Sequence, residues 1–239
     1  MAKCLTIVND AKGSGVEREL RRQICNVGRR MYGRGLVVAC EGNLSARLDP
    51  DRILVTPAGV CKGHLAPQDL LVTDARGAVI YGTGRPSSEI SMHLLFYSLR
   101  HDVHAVCHAH PPTATGFAAA RRAMEEAVLP EVVTDLGIIP LAPYGTPGTL
   151  ELCKGLKPLI PRHDAILLEN HGVVTCGQDL TTAYQRMETV EQFARILLTA
   201  ECLGGPHALS RADVQKLVAS RRSRVSFPES SVELTLEPR

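Results

Sequence analysis

Residues 104–111 read HAVCHAHP, a short apolar segment that carries His104, His108 and His110 and runs into Pro111-Pro112. The segment reads as a strand over 104–108, broken by the two prolines. Side chains alternate across a strand, so His108 and His110 share one face. Working outward, Pro86-Ser87-Ser88 opens a helix over about 88–100, and Thr113–Arg122 is helical. Upstream, Leu20, Ile24, Val27 and Met31 fall at helical spacing within 17–34, and Gly33 and Gly35 stop that helix. Residues 36–40, 44–48, 52–55 and 70–73 read as short strands separated by turns such as Gly42-Asn43 and Asp49-Pro50-Asp51. Downstream, 138–142, 165–169 and 173–176 are strand-like, with Asn170-His171-Gly172 between the last two. Helices cover 150–159 and 179–203, and a looser tail past Gly204-Gly205-Pro206 holds one short helix near 211–220. Strands and helices intermix without regular βαβ alternation, and no GxGxxG or GxxxxGK[ST] is present. A doubly wound dinucleotide fold is therefore disfavoured.

The composition sets the bounds. A chain of 239 residues with 44% hydrophobic side chains suits one compact α/β unit with a large core. The net charge of +2 gives no general attraction to nucleic acid or membrane. The pairs Arg21-Arg22, Arg29-Arg30 and Arg221-Arg222 are separate and read as solvated helix surfaces. Cys4, Cys25, Cys40, Cys61, Cys107, Cys153, Cys176 and Cys202 are scattered singly. The apolar stretch Leu5–Val8 is too short for a signal peptide, which points to reduced thiols in a cytoplasm. In the tail, Val225, Phe227, Val232, Leu234 and Leu236 fit an interface strap and ordinary disorder equally well.

Two constellations carry chemistry. His108 and His110 are well placed to bind one divalent metal, and an N/O site needs further ligands. His171, in LENHGVV, is the candidate third histidine; a turn histidine bonded to backbone is its plainer role. Glu89 is the candidate oxygen ligand; complementing its helix dipole is the plainer role. Such a set suits zinc, with manganese or cobalt as substitutes. His93, four residues after Glu89, reads as a core or surface histidine. The second constellation suits a phosphate: Asn43 and Ser45 in GNLS, Gly59 in TPAG, and Ser87 and Ser88 at a helix start. Lys62 and Arg85 are nearby sources of charge. Each motif alone is ordinary turn and capping chemistry. Their adjacency is informative, because Ser87 and Ser88 directly precede Glu89.

In chain order, GNLS, TPAG, RPSSE, HAH and NHG resemble the class II aldolase/adducin family, with the L-fuculose-1-phosphate aldolase type as the nearest pattern. The APYGTPGT loop at 142–149 adds to the likeness, which spans about 17–203. The resemblance implies one domain over 1–239 with a C-terminal tail over 204–239, and a three-layer α/β/α fold around a mostly antiparallel sheet. It implies a homotetramer with sites near subunit interfaces. It implies zinc held by His108, His110, His171 and Glu89, with Glu89 also the proton-transfer base, and phosphate held by Asn43, Gly59, Ser87 and Ser88. The implied reaction cleaves a ketose 1-phosphate to dihydroxyacetone phosphate and an aldehyde through a metal-stabilised enediolate. Related pentulose-phosphate 4-epimerases carry aspartate where Glu89 stands.

Two positions depart from the pattern. Ala58 replaces a hydroxyl residue before Gly59, and no tyrosine stands near Thr134, where the family places a proton donor for the aldehyde oxygen. Glu131, Asp135 and Tyr144 are the candidate substitutes. A sugar-phosphate dehydratase of the methylthioribulose-1-phosphate type, or a decarboxylase, is the alternative on the same site. A non-catalytic adducin-like binding module is the alternative from another class.

Overall fold

The computed structural model describes residues 15–224, with side chains described to residue 219. Cys4, the Leu5–Val8 stretch and the apolar tail positions from Val225 to Leu236 lie outside these residues. The chain runs α1 (Gly15–Gly33), β1 (Asn43–Arg47), β2 (Arg52–Val55), β3 (Leu71–Asp74), β4 (Val79–Tyr81), α2 (Ile90–Leu99), β5 (Ala105–Ala109), α3 (Pro112–Ala119), α4 (Pro130–Asp135), β6 (Leu141–Ala142), α5 (Leu150–Leu156), β7 (Ala165–Leu168), β8 (Gly172–Gly177), α6 (Leu180–Cys202) and α7 (Arg211–Arg224). Among the described residues no helix is long and apolar enough to cross a membrane.

The strands form one eight-stranded sheet in the order β4-β3-β2-β1-β5-β8-β7-β6. Every pairing is antiparallel except that of β6 with β7. Period-two alternation sorts the strand residues into two cores. Leu44, Ala46, Ala105, Cys107, Ala109 and Val173 join α1, α3 and α6 on one side. Val106, Val174 and Cys176 meet Met92, Phe96 and Tyr97 of α2, with Leu152 and Leu156 of α5, on the other. The result is helix–sheet–helix, with β5 in the interior of the sheet. In α1, Ile24, Val27 and Met31 form the buried stripe that helical spacing requires.

Several expectations need correction. Residues 36–40 do not form a strand; Glu41 N donates to Val38 O in a turn, and Ala39 has φ +47°. Leu36 and Val37 are nevertheless core residues, which explains the strand-like composition. The expected strand at 138–142 is reduced to Leu141–Ala142, because Ile139 pairs instead with Met124. The helix expected over 113–122 ends at Ala119, and Arg121 takes φ +56° just beyond it. The helix expected from 88 begins at Ile90, so Ser87 and Ser88 precede its N-cap, Glu89. The tail helix is longer than expected, Arg211–Arg224. Strand β4 and helix α4 were not anticipated.

Candidate metal and phosphate site

Register assembles the site. Antiparallel pairing sets Asn43 of β1 opposite His108 of β5, and His108 opposite Val174 of β8. Since Ala105, Cys107 and Ala109 face the α1/α6 core, the fully buried His108 faces the α2 side, and His110 follows just past the strand end. His171 lies in the turn between β7 and β8. Its amide donates to Leu168 O at 3.0 Å, and Asn170 before it has φ +54°, a left-handed conformation that asparagine tolerates. Gly172 is required on steric grounds, because a Cβ there would stand 2.5 Å from His110 Cδ2 and 2.6 Å from Ala109 O.

One donor nitrogen from each of His108, His110 and His171 lies within 4.8 Å of the others. At His108 a hydrogen bond selects which nitrogen the ring offers. His108 Nδ1–H donates to Val173 O at 2.9 Å, leaving Nε2 to face His110 Nε2 at 3.2 Å. On its outer side, His110 Nδ1 stands 3.2 Å from Glu41 Oε2. Glu89 closes the cluster, with Oε1 3.1 Å from His171 Nε2 and Oε2 3.3 Å from His108 Nε2. Buried Glu89 Oε1 nevertheless has no partner in hydrogen-bond geometry. With the Nδ1–H tautomer on both rings, the two Nε2 lone pairs face each other beside an underused carboxylate oxygen, an arrangement that a cation at its centre would satisfy. The donor set fits a divalent metal.

Burial and charge oppose each other across the cluster. Burial works to raise the Glu89 pKa, but His108 and His171 outweigh it and hold the carboxyl far below its usual range. Burial works to lower the His108 pKa, but Glu89 outweighs it and the imidazole holds its proton more tightly than usual. His110 is pushed down by burial and by the two neighbouring imidazoles. Glu89 therefore does not cap α2 with its side chain.

Beside the cluster lies a directed hydrogen-bond chain. Asn43 Nδ2 donates to Glu89 Oε2 at 2.9 Å and to Ser87 Oγ at 3.1 Å. Burial pushes His93 down to about 3, so its ring is neutral. Its Nε2–H donates to Asn43 Oδ1 at 2.5 Å, and its Nδ1 accepts from Ser45 Oγ at 2.6 Å. Ser45 Oγ in turn accepts from Tyr97 OH at 2.7 Å. Sequence reasoning treated His93 as incidental and missed Tyr97. The usable signal was the 89, 93, 97 spacing, which puts all three on one face of α2.

The remaining anion candidates are more loosely joined. Ser88 backs onto the 142–149 loop, where a Cβ on Gly148 would come 3.0 Å from Ser88 Cβ. Gly59 has φ +72°, and its loop is tied to RPSSE through Ala58 N to Arg85 O at 2.9 Å. No hydrogen bond among the described residues joins Gly59 directly to Asn43 or Ser87. Behind these turns, the buried Lys62 ammonium donates to Cys40 O at 3.0 Å and Val60 O at 2.7 Å. Thr134 Oγ1 donates to Glu131 O within α4. The Tyr144 amide donates to Glu169 Oε2. Neither contact leads to the histidines. A cleft of about 430 Å³ opens elsewhere, lined by Arg34, Glu131, Glu188 and Arg195 among others, with none of the three histidines in its wall.

The family model described as the Class II Aldolase and Adducin N-terminal domain matches residues 22–198, a span that holds every candidate residue above. The chain belongs to this class II aldolase family. A curated relative, the L-fuculose phosphate aldolase of Methanococcus maripaludis, is 35% identical over 174 residues, covering 73% of this chain and 93% of the relative. The 3-oxo-tetronate 4-phosphate decarboxylase of Escherichia coli K12 is 34% identical over 186 residues, covering 76% and 87%. Among solved structures, an L-fuculose 1-phosphate aldolase superposes with a TM-score of 0.81 at 28% identity, covering 90% of this class II aldolase chain and 100% of that one. The relatives' names thus include both an aldolase and a decarboxylase.

Proposed function

We propose that this chain is a metal-dependent carbon–carbon lyase acting on a phosphorylated sugar, with aldol cleavage of a ketose 1-phosphate as its reaction. His108, His110, His171 and Glu89 hold the metal, zinc in the first place, and Asn43, Gly59, Ser87 and Ser88 hold the phosphate. The observation that carries this reading is the double attachment of Glu89. His171 stands at its Oε1 and His108 at its Oε2, and Oε2 also accepts from the Asn43 amide, itself bonded to Ser87. A bound divalent cation supplies Lewis-acid stabilisation of negative charge developing on oxygen.

The chain's own residues do the rest. The Tyr97–Ser45–His93–Asn43 series holds the Asn43 amide with its N–H groups toward Glu89 and Ser87. Asn43 steadies one Glu89 oxygen, leaving Oε1 to move a carbon-bound proton. The homotetramer that the resemblance suggests, the cytoplasmic setting that the scattered cysteines suggest and the single domain over 1–239 belong to the proposal.

Decarboxylation is the second reading, favoured by the similarly close decarboxylase relative and by the lack of tyrosine at Thr134. The two reactions have one half in common. Loss of CO2 from 3-oxo-tetronate 4-phosphate leaves dihydroxyacetone phosphate deprotonated at its hydroxymethyl carbon. Retro-aldol cleavage of fuculose 1-phosphate leaves the same carbanion. The test is proton NMR of dihydroxyacetone phosphate in D2O with zinc-loaded protein. Stereospecific exchange of one hydroxymethyl proton, abolished by chelator and by Glu89→Gln, is expected. Absence of exchange in metal-loaded protein refutes both lyase readings. Release of an aldehyde or of CO2 from the respective phosphorylated substrate then separates them.

A further inference from the structure

Glu41 lies outside the ligand set, yet its carboxylate is aimed at it. Oε2 stands 3.2 Å from Nδ1 of His110, the ring nitrogen that faces away from the cluster. The loop carrying Glu41 is tied to the same histidine through the backbone, since His110 N donates to Leu36 O at 3.1 Å. The loop then turns back on itself through Glu41 N to Val38 O at 3.0 Å. Gly42 fixes the next step at φ +68°, where a Cβ would collide with His108 O at 2.7 Å. The backbone therefore places Glu41 beside His110.

We propose that Glu41 is a positioning residue of the metal centre: its carboxylate accepts the Nδ1–H of His110 and commits Nε2 to the metal. This rests on the metal assignment above. A neutral imidazole has two tautomers, and only one presents a lone pair at Nε2. A carboxylate on the outer nitrogen selects that tautomer, fixes the ring plane and makes the ligand more basic. His108 receives the equivalent service from the carbonyl of Val173. His110 is one-quarter exposed, so it depends more on such a partner than the fully buried His108 does. A surface ion pair without consequence is the competing role, since the Glu41 side chain is 43% exposed.

Zinc affinity separates the two roles without reference to turnover. The full-length protein is stripped of metal and titrated with zinc against a chromophoric chelator, alongside Glu41→Ala, Glu41→Gln and His108→Ala. Glu41→Ala is expected to weaken zinc binding by about 10- to 100-fold, the range for lost outer partners of ligating histidines. Glu41→Gln should lose less, because its amide oxygen still accepts the Nδ1–H. Cobalt-substituted Glu41→Ala should show an altered visible spectrum, which a role confined to chain stability would leave unmoved. An unchanged zinc affinity and cobalt spectrum in Glu41→Ala overturns the proposal. So does a loss as large as that of His108→Ala, which would make Glu41 a ligand. If the parent protein binds no zinc, or His108→Ala binds it fully, the metal assignment itself fails.

Discussion

Replacing Glu191 should cost more stability than replacing most core methyl groups. Helix α3 begins two residues after His110, and its N-cap is Pro111, which offers no side-chain acceptor. Glu191 of α6 supplies the missing acceptors from across the fold. Its buried carboxylate accepts from Thr113 N at 3.0 Å, Ala114 N at 3.0 Å and Thr113 Oγ1 at 2.9 Å, and pairs with Arg195 Nε at 2.8 Å. Glu191→Ala strands two amides and a hydroxyl near a helix start. Hydrogen bonds to a charged group contribute about 1.5–3 kcal/mol each, and they do not add fully. The exposed Arg195 pairing is heavily screened and adds little. The expected loss is about 4 kcal/mol, near the roughly 3–5 kcal/mol for orphaning a buried partner. At about 2–4 °C per kcal/mol for a chain of this size, Tm falls by about 8–16 °C. Glu191→Gln keeps one acceptor oxygen and should lose about half as much. Urea unfolding followed by circular dichroism measures both. A Glu191→Ala protein within about 0.5 kcal/mol of the parent would refute the assignment of these bonds as a functioning cap.

His93→Leu removes the support for Asn43 while sparing every proposed ligand, so zinc content should hold while kcat/KM falls about 10- to 100-fold; loss of metal instead would contradict the hydrogen-bond order. Arg100 holds the Asp102 carboxyl below its ordinary value through a paired hydrogen bond. A depressed folded pKa contributes stability above the unfolded value and loses it as pH falls toward the folded one, so the gap between parent and Arg100→Met should narrow below about pH 4; a gap that widens on acidification contradicts the pairing. Burial pushes the Cys107 thiol up to about 12, whereas Cys40 and Cys202 are exposed. Mass spectrometry after brief alkylation of native protein should find Cys40 and Cys202 modified and Cys107 intact, and early labelling of Cys107 would contradict the core assignment.

The clustering of His108, His110 and His171 was legible because its signal is local. Two histidines spaced by two share a face where the backbone is extended; β5 carries His108, and His110 follows directly after its last residue. His171 was legible because asparagine and glycine flank it in a tight turn. Residues 36–40 misled because LVVAC has strand composition, while its burial comes from packing and its backbone from a turn. Strand β4 gave no signal: its three residues are all exposed, so no alternation marks it. Helix α4 has six residues, too few to display a period. Glu41, and the bonding of Ser45 to His93 and Tyr97 in place of the phosphate role expected of it, were hidden for another reason. Their roles depend on strand register and loop closure, which bring together residues about 50–70 positions apart and leave no local pattern.

The central place of β5 has a consequence for how the site breathes. Its residues hydrogen-bond to β1 on one side and to β8 on the other, and His108 is fully buried between them. No partial fraying at a sheet edge can release that histidine; both ladders must open. The amides of β5 should therefore exchange with solvent deuterium only through global unfolding, among the slowest in the protein. The loop that carries Glu41 and packs on His110 lies outside the sheet and should exchange by local opening. The two histidines thus belong to different stability regimes, one locked into the whole fold and the other, just past the end of β5, governed by a turn.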